Sequence, residues 1–218
     1  MLPVLFTKSL GAASANSIAL AQTLGAAGAV TLNGASVVAG VARLDTQRRV
    51  IITSAGDDSG VTFTVTGTNQ AGMVITDSFP GAAIGAAQSN LDFLTVTGIR
   101  ASGATSSITV GTNTTGSSQW FMPNYHLTPF VLDIESTVAG AVTYSIETTM
   151  DDFFTPPNQA SVQWPAAGVI RVRPTSVVAA TASQSLVINS PCRGWRLTIT
   201  TGSGSVACEA MQAGIVNY

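Results

Sequence analysis

Charge is what this sequence has least of. Asp, Glu, Lys and Arg make up 9% of its 218 residues, against about 25% in an average soluble protein. The basic residues are scattered from Lys8 to Arg196 without a cluster, so the phosphate-neutralising interaction that dominates nucleic-acid affinity has no footprint. Histidine occurs once, at His126, and cysteine twice, at Cys192 and Cys208. That set does not supply a tetrahedral zinc site at recognised spacings. With no G-x-S-x-G and no Cys near the histidine, no hydrolytic triad is readable. No glycine loop is followed by the lysine that a phosphate cradle requires. Long apolar runs are missing as well. The uncharged stretch "SIALAQTLGAAGAVTLNGASVVAGVA" (17–42) is mostly Ala and Gly, is interrupted by Gln22, Thr23 and Asn33, and has too few large apolar residues to predict a membrane span. At the N-terminus Ala13-Ser14-Ala15 looks like a cleavage site, but Lys8 follows the short apolar "MLPVLF" instead of preceding it, the wrong order for a secretory signal.

What is present is apolar and small. Hydrophobic residues reach 45%, there are 21 glycines, mean hydropathy is +0.37 and the net charge is −2, a composition that folds and is not disordered. A surface this poor in charge is wetted by Thr, Ser, Asn and Gln, and such surfaces associate more readily than charged ones.

From Arg49 onward the apolar period is two. In "VTFTVT" Val61, Phe63 and Val65 share one face while Thr62, Thr64 and Thr66 share the other, the pattern of a half-buried antiparallel strand. "RVIITS", "GMVITDSF" (72–79), "DFLTVTGI" (92–99) and "SITVG" (107–111) repeat it. After the proline-containing "WFMPNYHLTP" come "FVLDIEST" (130–137), "AVTYSIETT" (141–149), "VIRVRP" (169–174) and "SLVIN" (185–189). Short strands at regular spacing with glycine turns predict an all-β protein: two antiparallel β-sandwich domains, jelly-roll or Ig-like, over 30–119 and 120–218, after an extended N-terminal arm over 1–29. Within the arm, 14–24 reads as a short helix with Ser14 or Asn16 as cap and Gly25 as stop. Its apolar residues, among them Phe6, Ile18 and Leu20, are expected to be buried on another subunit.

Three connections read as hairpins. Gly56-Asp57-Asp58-Ser59-Gly60 has turn-forming residues and lacks the alternating ligands and closing Glu of a calcium loop, so both aspartates are expected to be dispensable. The glycine between 130–137 and 141–149 reads as a second hairpin, and Thr201-Gly202-Ser203-Gly204 as a third. Matching apolar faces in the third pairs Ile199 with Val206, Leu197 with Cys208 and Trp195 with Ala210. Cys192 then lies roughly 17 Å from Cys208 at the usual strand rise, beyond disulfide reach, which predicts two free thiols and assembly in a reducing compartment.

Enzymatic chemistry has few candidates. Asp133, Glu135 and Glu147 fall on polar faces of neighbouring strands, with Asp151 and Asp152 just beyond, and a glycosidase needs two carboxylates in one cleft. Trp120, Trp164 and Trp195 are the candidates for stacking on sugars. Solvated acids and buried tryptophans are the simpler reading, so no catalytic, cofactor or metal residues are expected.

The stretches "RRVIITSAGDDSGVTFTVTGTNQAGMVITDSFPG", "LDFLTVTGIRASGATSSITVGTNTTGSSQWF", "VTYSIETTMDDFF" and "RGWRLTITTGSGSVACEAMQAG" resemble the β-rich virion structural proteins of tailed bacteriophages, from about residue 30 to the end. The resemblance implies a non-enzymatic component of the neck, the tail or the capsid exterior, a connector, tail or decoration protein. Its partners would be copies of itself and other virion proteins (portal or connector, tail, capsid), in a virion assembled in the bacterial cytoplasm, with no nucleic acid bound and no membrane insertion. The alternative is an adhesin or receptor-binding module for host-surface glycans; a glycan-cleaving enzyme is a distant third.

Overall fold

The computed structural model describes residues 4–9, 11–70, 72–124, 126–151 and 172–215. Every regular element among them is a β-strand. The first nine are β1 (Val4–Ser9), β2 (Ser14–Gln22), β3 (Gly28–Ala29), β4 (Val37–Val38), β5 (Val41–Ser54), β6 (Thr62–Thr68), β7 (Val74–Pro80), β8 (Gly85–Ala101) and β9 (Ile108–Ser117). The others are β10 (Thr128–Ala139), β11 (Val142–Thr149), β12 (Arg173–Pro174), β13 (Gln184–Ile188), β14 (Gly194–Gly202) and β15 (Ser205–Ile215). The pairings described are antiparallel, so the all-β class read from the alternation holds. Part of "VIRVRP" lies outside the described residues.

The chain divides into two compact units. One holds the described residues of 13–116; the other combines those of 4–12, 117–151 and 172–215. The sequence pattern places its boundaries after 29 and 119. The unit over 13–116 is a sheet in the order β9-β5-β8-β6-β7, with β2 on β9, β3 on β8 and β4 on β5. Its core takes alternate residues of these strands: Ile18, Val50, Ile52, Phe63, Val65, Phe93, Val96, Ile108 and Val110. Residues 14–22 are therefore a strand, not the helix expected over 14–24. Ile18 and Ala19 are fully buried within the unit, because burying an aliphatic side chain, worth about 1.5–3 kcal/mol for one the size of isoleucine, outweighs the weak helical tendency of an Ala- and Ser-rich stretch.

The other unit is a sandwich of the sheet β1-β15-β10-β13 and the strands β12-β11-β14. Leu132, Ile134, Val206, Cys208 and Ala210 from one layer meet Tyr144, Ile146, Trp195, Leu197 and Ile199 from the other. A bond ties the layers across the core, between Ser136 Oγ and the Tyr144 hydroxyl at 2.6 Å. Here too the supposed arm is part of its own chain. β1 pairs with β15 from Val4↔Ala210 to Ser9↔Ser205, and Phe6 stacks on Phe121 at 4.7 Å, with Phe121 on Trp195 at 4.9 Å.

None of the three hairpins forms. β8 lies between β5 and β6, so 55–61 is a crossover connection. β10 and β11 belong to different layers, as do β14 and β15, and the short connections 140–141 and 203–204 pass from one layer to the other. Alternation dictates which face of a strand is buried; it does not name the strand alongside. Facing strands of a sandwich and paired strands of a hairpin bury the same alternate residues.

The two interlayer connections lie against each other, with Gly204 N–H donating to the Ala141 carbonyl at 2.9 Å. There is no room for a side chain there. Gly202 has a φ of 104°, and a Cβ on it would stand 2.3 Å from the Ala141 oxygen; on Gly204 it would stand 2.6 Å from the Ala139 oxygen. Gly202→Ala is expected to destabilise the unit by about 1–3 kcal/mol from the backbone conformation alone, before any clash is added. Gly60→Ala, where nothing lies within 4 Å, serves as the control and should leave the denaturation midpoint unchanged. Urea denaturation followed by tryptophan fluorescence checks both.

Candidate functional site

The residues singled out in the sequence do not converge. Asp57 is exposed and accepts from Ser59 N–H at 3.0 Å and from Ser59 Oγ at 2.7 Å, a local turn whose bonds hold its carboxyl below the usual carboxylate range. Asp58 is different. It is 1% exposed and accepts from Ser106 N–H and Ser106 Oγ, both at 2.7 Å. Burial works against its ionisation, and the bonds from Ser106 N–H and Ser106 Oγ outweigh it, so the carboxyl lies below its ordinary value. Its own backbone is held as well: Asp58 N–H donates to the Ala82 carbonyl, and its carbonyl accepts from Val61 N–H. Asp58 thus pins the crossover 55–61 to the 102–107 loop. A local turn rule treats both aspartates as dispensable, but Asp58 is buried on a partner 48 residues away, which such a rule does not see.

The carboxylates considered as a catalytic pair are held apart. Glu147, on β11, pairs with Arg196 Nε at 2.8 Å and accepts from Thr198 Oγ1 at 3.0 Å. Asp133 and Glu135, on β10, occupy the outer face of the opposite layer, so the whole core separates them from Glu147. Asp151 donates its backbone N–H to Thr149 Oγ1, and Asp152 lies outside the described residues. The sequence reading missed that Glu209 stands directly across from Glu135, because it had paired β15 with β14.

The aromatic candidates are occupied. Trp195 is fully buried; the Arg196 guanidinium lies over Trp120, 4.6 Å from the ring centre; Trp164 lies outside the described residues. His126 is exposed and its backbone N–H donates to Asn124 Oδ1. Among the described residues no three His, Cys, Asp or Glu side chains come together as metal ligands.

The thiols are free and buried, although the hairpin register that predicted their separation does not exist. Burial alone pushes the Cys192 thiol up to about 11 and the Cys208 thiol up to about 12. Arg48, on β5, is as deeply buried as Asp58, 1% exposed, and its guanidinium donates to both Asp45 oxygens at 2.6 Å and to the Asn113 carbonyl at 2.8 Å. That group is a brace between β5 and β9, with its hydrogen bonds spent on the protein itself.

Comparison with family models, curated proteins and solved structures finds no match to this chain.

Two outcomes follow from this chemistry. Asp58→Asn is expected to cost about 1–3 kcal/mol at pH 7, the usual penalty for weakening a buried, charge-assisted bond, whereas Asp57→Asn should leave the midpoint in place. Because the folded carboxyl titrates below the ordinary Asp value of about 3.9, its contribution is present above that value and fades as pH falls through the lower folded one. The gap between wild type and Asp58→Asn should therefore narrow in acid, as urea titrations at pH 7 and pH 3 would reveal. The second concerns the thiols: at pH 8 neither Cys192 nor Cys208 should react with iodoacetamide in the folded protein, and both should react in denaturant, read by intact mass.

Proposed function

We propose that this chain is a non-enzymatic structural component of a tailed-phage virion that acts by multimeric assembly, at the neck or tail or on the capsid exterior. The observation that carries this reading is the character of its outward sheet faces. On β6, β7 and β8 these are covered by hydroxyls bonded to one another, Thr64 to Ser78 at 2.9 Å and Thr68 to Thr95 at 2.7 Å. Leu5 (74%), Val74 (65%) and Met211 (56%) stand exposed. Faces of this kind lose little on leaving water and suit repeated contact with other protein surfaces. The sequence resemblance to virion proteins supports the same reading.

The glycan-binding alternative draws less support from the described residues, since a sugar site needs accessible aromatic faces, and among them Trp195 is in the core while Trp120 is covered by Arg196. Mass spectrometry of gradient-purified phage particles from the producing strain tests the proposal. The chain is expected in the particles in many copies, at a fixed ratio to the capsid protein; its absence from particles, with the protein present in the lysate, would overturn it.

A further inference from the structure

Several of the few charges of this chain are engaged by partners within it. Arg48 holds Asp45, Arg49 lies 3.7 Å from Asp92, and Arg196 holds Glu147, while Asp77 accepts from the backbone N–H groups of Asn90 and Leu91. Three carboxylates make no such contact among the described residues: Asp133, Glu135 and Glu209. All three are exposed on the outer face of the sheet β1-β15-β10-β13. Glu135 and Glu209 stand directly opposite each other, in a row that continues to Leu5, and Asp133 is opposite Met211 on one side and Val187 on the other. Like charges at directly opposite positions destabilise a sheet, and no cation of these four strands shares the face to relieve them. The acids do not converge as metal ligands; they form a stripe beside exposed Leu5, Met211 and Val187.

The unit over 13–116 carries the opposite arrangement. Arg43 and Arg100 are exposed and make no ion pair among the described residues. Arg43 is opposite Thr95 and Arg100 is opposite Thr64, which puts both on the outward face, with Thr64, Thr66, Thr68, Thr76 and exposed Val74 around them. One outward face of the chain thus offers unpaired carboxylates and apolar side chains, and another offers unpaired guanidiniums, hydroxyls and a valine.

We infer that copies of this chain associate head to tail, the acidic face carrying Asp133, Glu135 and Glu209 of one copy docking on the Arg43 and Arg100 face of the next. Such a contact joins two different surfaces, the acidic sheet face of one copy and the arginine face of another. Opposite charges select the register and set the encounter rate, and apolar and hydroxyl contacts supply the burial. The inference rests on the assembly reading above and specifies its contact.

Light scattering on the full-length chain tests it through a charge-exchange design. Glu135→Lys/Glu209→Lys and Arg43→Glu/Arg100→Glu, each alone, set like charge against like and should weaken self-association at least tenfold, with circular dichroism of the wild-type shape showing that both fold. Mixed one to one they present opposite charges at every contact, and the wild-type mass should return. Raising salt from 0.05 to 0.5 M should weaken the wild-type assembly, since these charges are exposed. An oligomer that keeps its mass in both variants would overturn the inference and leave the assembly reading standing. A wild type that is monomeric throughout, or a mixture that stays dissociated, would overturn it too; the assembly reading itself falls only if the chain is absent from particles.

Discussion

Each strand of this protein has to hide every second side chain, and a chain with 9% charged residues has little else with which to organise itself. In the unit over 13–116 the sheet β9-β5-β8-β6-β7 turns Val50, Ile52, Phe63, Val65 and Phe93 to one shared interior. In the other unit two layers face each other, and Tyr144 bridges them by bonding Ser136. The remaining features follow from that demand. Two adjacent connections cross between layers where only glycine fits, and both N-terminal strands are recruited because their apolar residues complete these interiors.

With so few charges, polar satisfaction falls to hydroxyls and to isolated ion pairs. Asp58 is the clearest case: a buried carboxylate is costly unless its lone pairs are used, and the N–H and Oγ of Ser106 use them. Arg48 meets the same condition through Asp45 and Asn113. Both groups are buried and fully engaged, which is the signature of structural bracing and not of a reactive centre. Asp133, Glu135 and Glu209 are left exposed on one sheet face, with Glu135 and Glu209 directly opposite each other, an arrangement that costs stability within the sheet.

The candidate residues show how far sequence reasoning reaches. That His126, the cysteines and the scattered basic residues make no recognised motif was evident from their number and spacing. That Glu147 is neutralised by Arg196, or that Glu209 faces Glu135, was not, since each depends on a strand 49 or 74 residues away, counted between the residue numbers. The turn-like Asp57-Asp58 pair divided: the turn rule described Asp57 well, and Asp58 escaped it because its partner belongs to another loop.

By itself the sequence determined the all-β class, the approximate position of most strands and the buried side of each, since a period of two is a local property written in adjacent residues. It also showed that no recognised zinc, phosphate-loop or serine-nucleophile motif is written in it, because such motifs are matters of count and spacing. Tertiary structure alone decided which strands are neighbours. β5 and β6 flank β8, β10 and β11 lie in opposite layers, and β14 and β15 are separated likewise, although each pair is joined by a short glycine-containing link. The physical reason is that strands facing each other across a core and strands paired in a hairpin need the same alternation, so only the global fit of apolar faces, completed by Phe6 and Ile18 from the N-terminal strands, distinguishes one arrangement from the other.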